Sequence, residues 1–223
     1  VQTFARQAAI AIENVRLFNE TKEALEQQTA ISGILRVISA SPGDVKPMLD
    51  AVAERALHLC DAAQAGIFLV DGEALRYAAG FGDMLTPAED SVYPLTRGLV
   101  IGRAALDRQT IHVSDVVPLL ASEYPDARPN QQKYGFRALL AVPLLREDRA
   151  IGAIALWRRE PRAFSDNQIT LIKTFADQAA IGIENVRLFN ETREALDQQT
   201  AISEILQVIS SSPTDVQPVL DAI

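Results

Sequence analysis

The chain has 223 residues, 48% of them hydrophobic and 22% charged; it is long enough for one sizeable core and, on length alone, for two small ones. Its formal charge of −8 is spread without a basic cluster, which excludes the concentrated Lys/Arg face that nucleic-acid binding needs. No apolar run approaches the roughly 20 residues of a membrane helix and no signal segment is recognisable, so a cytoplasmic protein is expected, with no membrane in this stretch.

The strongest signal is a repeat. Residues 4–52, beginning FARQAAIAIENVRLFNET, return at 175–223 as FADQAAIGIENVRLFNET, with 38 of 49 positions identical at an offset of 171 residues. A period of that size is a domain plus its linker, and is expected of an array. The chain then reads as the last helix of one unit, a complete unit, and the first helix of another.

From Phe4 to Ser41 only Gly33 interrupts a composition rich in Ala, Glu, Gln, Leu and Ile, which predicts one long helix. Ile10, Leu17, Ala24, Ile31 and Ile38 recur every seven residues, with Asn14, Thr21, Gln28 and Leu35 four residues after the first four. This is a coiled-coil seam with polar insertions. Leu17, Ile31, Leu35 and Ile38, with Leu188, Ile202 and Leu206 in the second copy, are the predicted seam of a homodimer. Parallel pairing is expected, an antiparallel or intrachain arrangement being the alternative.

An amphipathic helix follows over Asp44 to Leu59, with Asp44 as its N-cap. The only cysteine, Cys60, excludes an internal disulfide and a zinc-holding thiolate cluster, and is assigned to core packing. The period then changes: AGIFLVDGEALRYAAGFG gives two strands around Asp71-Gly72, and SVYPL a third. Arg97 to Asp107 reads as a short helix, QTIHVSDV as a strand, and Val117 to Gly135 as a long irregular connection of the kind that forms lids. FRALLAVPLLRED and RAIGAIALWRRE form the clearest hairpin, placed at the sheet centre with Glu147-Asp148-Arg149 at its tip. Ser165 caps a final helix that runs straight into the second linker.

This order of elements, and the strings GRAALDRQTIHVSDV, FRALLAVPLL, IGAIALWRRE and FSDNQITLIKTFADQAAIGIENVRLF, resemble the GAF domain family. With QQTAISGILRVISASPGDVKPML they are similar to the tandem GAF arrays that precede bacterial histidine kinase or nucleotide cyclase effectors. The resemblance implies an α+β fold: an antiparallel sheet of about six strands, helices on one face, and a pocket under helix and loop on the other. The expected divisions are a linker at 1–41, a GAF domain at 42–185, and a linker with the start of the next unit at 186–223.

The same resemblance sets the chemistries to be tested. A bilin-binding member needs a cysteine at the ligand, and a sulfoxide reductase of this fold needs attacking and resolving cysteines; Cys60 alone serves neither. The Asn-Lys pair of cyclic-nucleotide members is replaced here by Arg158-Arg159, before Phe164. His112, Ser114 and Asp115 have the residue types of a hydrolase triad, but a strand puts 112 and 114 on one face and 115 on the other; Asp115 is expected to cap the next turn. With His58 on another element no metal ligand set is expected. No Gly-rich phosphate loop surrounds Gly98 and Gly102, which are read as allowing close helix packing. No catalysis and no cofactor are predicted.

Position in the fold nominates Tyr77, Phe81, Tyr93, Arg97, His112, Tyr124 and Phe136 as pocket residues, Arg97 favouring an anionic ligand at the mouth. The expected function is a non-catalytic sensory module that relays an unidentified small molecule, or the state of neighbouring domains, through its helices to an effector. The alternative is a ligand-free spacer and dimerisation unit. A pocket filled by its own side chains favours the spacer; an open polar-lined cavity favours the sensor.

Overall fold

The computed structural model describes residues 43–84 and 91–211. Leu17, Ile31, Leu35 and Ile38 of the predicted seam lie outside the described residues.

Six strands form one sheet: β1 (Gln64–Asp71), β2 (Ala74–Gly82), β3 (Val92–Pro94), β4 (Ile111–Val113), β5 (Ala138–Arg146) and β6 (Arg149–Arg158). Their order is β3-β2-β1-β6-β5-β4, with every neighbouring pair antiparallel. The central strands are therefore β1 and β6, and β5 lies one place outward from the position the hairpin was expected to share. Both faces of this sheet are covered, which is why β5 and β6 read as unbroken apolar runs rather than alternating ones. Their side chains still alternate by face. Ile154 and Leu156 join one core, while Ala153, Ala155 and Trp157 join the other.

The β5–β6 turn uses Glu147 and Asp148, both at positive φ (47° and 60°), with Arg149 already in β6. Two consecutive left-handed residues match the twist that a two-residue hairpin requires. The β1–β2 turn is Gly72-Glu73, one residue later than expected, because Asp71 pairs with Ala74 across the ladder. Gly72 supplies the positive φ of 59° there.

On one face lie α1 (Lys46–Leu59) and α4 (Asp166–Ser211). Met48, Leu49, Val52, Ala53 and Ala56 form the buried stripe of α1, at the three-and-four spacing of a helix face. The helix begins two residues later than expected, with Val45 and not Asp44 at the capping position; Asp44 Oδ1 instead closes a local turn ahead of it, accepting the Lys46 N–H at 2.9 Å. From α4, Leu171, Ile172, Phe175, Ala176, Ala179 and Ala180 enter the same core. Each fully buried large side chain is worth about 1.5–3 kcal/mol over an exposed one. The first turn of α4 closes by a reciprocal capping box: Ser165 Oγ accepts the Gln168 N–H at 3.3 Å, and Gln168 Oε1 accepts the Ser165 N–H at 3.0 Å.

Beyond Val186 the character of α4 changes. Every residue from 187 to 204 is exposed, although the helix has 46 residues and so spans roughly 70 Å. The expected continuity of exit helix and linker is present as one element.

The other face carries α2 (Val100–Asp107) and α3 (Arg128–Tyr134), with two 3₁₀ turns at Val117–Leu119 and Pro125–Ala127. The connection expected to be irregular is thus largely helical. Its prolines explain the misreading: Pro118, Pro125 and Pro129 each sit in the first turn of a short helical piece, where a missing N–H costs nothing. Asp115 Oδ1 accepts the Val117 N–H at 3.2 Å, the cap expected of it.

Candidate functional site: a small cavity back to back with a clamp on the exit helix

The face under α2 and α3 carries a small, partly open cavity of about 30 Å³. A water needs roughly 10–15 Å³ of such space, so the cavity takes one or two waters as its side chains stand. Its walls are the rings of Phe68, Tyr93, Phe136 and Trp157, and aliphatic side chains from the start of α2; Asn130 of α3 contributes the one carboxamide. Phe68 is the hub, meeting Tyr77, Tyr93 and Trp157 edge to face at 5.6, 5.5 and 6.2 Å. That geometry suits the quadrupoles of aromatic pairs.

Of the seven nominated pocket residues, Tyr93 and Phe136 line the cavity, and Tyr77 packs behind Phe68. Tyr124 is buried in the same core, under the Arg103 guanidinium 4.4 Å from its ring centroid. Burial pushes the phenols of Tyr77, Tyr93 and Tyr124 above their ordinary range. Three residues are elsewhere. Phe81 is 41% exposed and packs against His58 of α1, so the end of β2 turns it to the helix-bearing face. Arg97 points outward to Asp107, with its Nε 2.8 Å from Oδ1. His112 faces Phe164, which belongs to the α1–α4 core. Phe68 and Trp157 were missed; two apolar residues in unbroken strands give no sign of face, but pairing register would have placed both opposite Tyr77 and Leu139.

The two predicted packing glycines do what was expected. A Cβ on Gly102 would overlap the Thr96 carbonyl oxygen, and one on Gly98 would overlap the Asp126 carboxylate, which accepts the Thr96 hydroxyl at 2.6 Å. Arg103 ties α2 to the covering segment, donating to Glu123 Oε2 at 2.9 Å and to the Glu123 carbonyl at 2.8 Å. Arg137 grips Asp115 with two donors, and this holds the Asp115 carboxyl below the usual range.

Immediately behind Trp157, on the opposite face of β6, Arg158 is 3% exposed. Among the described residues it bonds no carboxylate; its guanidinium donates to the carbonyls of Cys60, Asp61, Arg162 and Ala163 and to Gln168 Oε1. Its plane lies 3.9 Å from the Phe164 ring centroid. A planar fork of five N–H groups suits this convergence of acceptors, which a lysine would not match. Gln168 Nε2 also donates to the Cys60 carbonyl at 3.1 Å. One side chain therefore joins the end of α1, the end of β6 and the capping box of α4. Burial draws its own basicity down, and the carbonyl dipoles of the α1 terminus compensate the charge.

Cys60 is fully buried, and burial pushes its thiol up to about 12. At neutral pH it is a packed thiol rather than a nucleophile. Among the described residues no group of three His, Cys, Asp or Glu side chains could hold a metal ion, and no helix is long and apolar enough to cross a membrane.

A single antiparallel sheet with a helical layer on one side and a helix-and-loop cover over a small cavity on the other defines an α+β domain. The chain belongs to the GAF domain family, whose match covers residues 43–184. Among solved structures it is similar to the GAF domain of a phosphoenolpyruvate-protein phosphotransferase from Coxiella burnetii, at 18% identity and a TM-score of 0.63, over 75% of this chain and 98% of that one. A methyl-accepting chemotaxis protein fragment is 27% identical with a TM-score of 0.58, over 71% and 97% of the two chains. The free methionine-R-sulfoxide reductase of Neisseria meningitidis is 23% identical with a TM-score of 0.58, over 75% and 93%.

Proposed function

We propose that this GAF domain is a regulatory relay: the state of the cavity face is passed through β6 to the start of α4 and along α4 to whatever follows it. The observation that carries this is the adjacency of Trp157 and Arg158. Trp157 is a wall of the cavity, and the next residue holds the capping box of the exit helix. A shift of β6 in response to the cavity cannot leave the helix start unmoved unless the guanidinium lets go of several acceptors at once.

The test is Trp157→Phe, read by amide exchange at Phe164 to Gln168. A changed protection of these amides, on the face away from the substitution, supports the relay. Unchanged protection there, with altered protection confined to α2 and α3, refutes it.

The cavity also favours a second reading. At about 30 Å³ with mostly apolar walls, it is closer to a filled pocket than to an open polar one, which is the condition set for a spacer. A relay driven by neighbouring domains and a spacer share this feature, and only the coupling test separates them. Against a bulky resident ligand the cavity speaks directly, since small-molecule sites usually span about 300–1,000 Å³.

Two features support the array and the dimer. The core residues Phe175, Ala176, Ala179 and Ala180 have identical counterparts at Phe4, Ala5, Ala8 and Ala9, as a segment closing a second core of the same kind would. Leu188, Ile202 and Leu206 are 46%, 58% and 59% exposed, a seam open to a second copy. Light scattering of the chain, and of a variant with Leu17, Ile31, Leu188 and Ile202 changed to Asp, tests this. A wild-type dimer that becomes a folded monomer supports the seam, and a wild-type monomer removes it.

A further inference from the structure

One contact at the base of α4 is used neither by the cavity nor by the Arg158 clamp. His112, at the middle of the short edge strand β4, accepts the backbone N–H of Phe164 through Nε2 at 2.9 Å. Its ring meets the Phe164 ring edge to face at 5.8 Å. Phe164 immediately precedes Ser165, the capping residue of the exit helix, so this bond fastens the helix entrance to the far edge of the sheet from β3. The acceptor role fixes the protonation state: the bond needs a lone pair on Nε2, so the proton sits on Nδ1 and the imidazole is neutral.

We propose that His112 is a proton-operated latch, in which the neutral imidazole holds the entrance of α4 against β4 and protonation releases it. An imidazolium has two N–H donors and no acceptor, so it faces the Phe164 N–H donor to donor. It also adds a second cation beside Phe164, whose ring the Arg158 guanidinium already covers. The other groups around it are few. Leu140 is its cross-strand partner on β5, Asp115 on its own strand's continuation is occupied by Arg137, and Asp166 of α4 is the one acid that draws the charged form. His112 is an exposed residue of β4 whose ring is only partly shielded by Phe164; this partial desolvation first, and Arg158 second, hold it below the ordinary histidine value of 6.5.

The sign follows from linkage. A base bound less tightly to its proton in the folded state makes folding weaker as pH falls below the unfolded value, and the latch itself opens as pH falls through the lowered folded value. The released N–H lies between the exposed residues Ala163 and Ser165, where water replaces the lost acceptor. The consequence is a freed helix entrance and not an unfolded domain. The bond stands independently of the relay; only its effect on output rests on that reading.

The experiment is amide exchange on the full chain, with protection factors corrected for intrinsic rate, between pH 7.5 and 4. In the wild type the Phe164 amide is expected to lose protection as pH falls below the ordinary histidine range, while the amides of β1 and β6 hold theirs. His112→Gln, which offers an acceptor that does not titrate, removes the pH dependence, and His112→Ala is weakly protected throughout. Nitrogen shifts of the wild-type imidazole at pH 7.5 report the tautomer without any substitution. A flat profile in the wild type, the same drop in His112→Gln, or a proton on Nε2 overturns the proposal. A negative result with Trp157→Phe would sink the relay and leave this latch untouched.

Discussion

Replacing Arg158 by Met tests whether one guanidinium holds the exit helix in place. Methionine keeps the length and covers Phe164 with a sulfur that packs well against rings, so the change removes the five N–H donors with little loss of volume. Cutting one partner from a buried charge pair costs about 3–5 kcal/mol, but the structure argues for less. Cys60 keeps the Gln168 Nε2 bond and Gln168 Oε1 keeps the Ser165 N–H. Asp61, Arg162 and Ala163 are exposed residues, so water reaches their carbonyls. What is lost is the net worth of about one or two charge-assisted bonds, roughly 2 kcal/mol, or about 4–8 °C in Tm for a domain of this size. Arg158→Lys should lose about half as much, because three donors on a flexible stem cannot span the acceptors. Denaturant melts give the magnitude, and amide exchange at 60–64 and 162–168 gives the location. A loss under about 0.5 kcal/mol, or exchange changes spread evenly over α2 and α3, would refute the clamp.

Gly102→Ala sets a Cβ against the Thr96 backbone and should cost about 1–3 kcal/mol. Gly98→Ala meets only the movable Asp126 carboxylate and should cost less, which paired urea melts would rank. Asp115→Asn should lower stability at neutral pH. Because the Asp115 carboxyl is held below its ordinary value by Arg137, the wild type loses that advantage as pH falls through the lowered value, and the two melting curves should converge only below it. Cys60 should resist a disulfide reagent at pH 8 in the native chain and react fully in 6 M urea; prompt native labelling would contradict its burial.

The sheet, its order of elements and the capped start of α4 were legible because each leaves a local mark. Strands alternate with turn residues, and Ser165 followed by Gln168 is a capping box in four letters. The facing of individual residues was not. In a sheet covered on both sides, apolar runs carry no alternation, so Phe68 and Trp157 looked like any core residues. Phe81 and His112 were assigned to the wrong face because a bulge between Ile67 and Phe68 shifts the β1–β2 register, and because β4 is three residues long and shows no pattern. Arg158 was noted only as a departure from a family motif. Its role depends on residues 97 and 98 positions away in sequence, and no local pattern announces such a partner.

The small size of the cavity bears on how a relay could be set. A ligand moves an equilibrium only by its difference in affinity for the two states. A roomy, preformed pocket can bind with no such difference, whereas a cavity for one or two waters must open before anything larger enters. The walls that must move are the aromatic rings on β1 and β6 and the segment that Arg103 ties to α2. Of these, only Trp157 is bonded through its next neighbour to the exit helix. On the proposed relay, any occupant larger than water binds the opened state, and the work of opening is done in part against the clamp on α4. On that reading the small size of the resting cavity is not an argument against regulation; it is the condition under which occupancy and helix position would differ together.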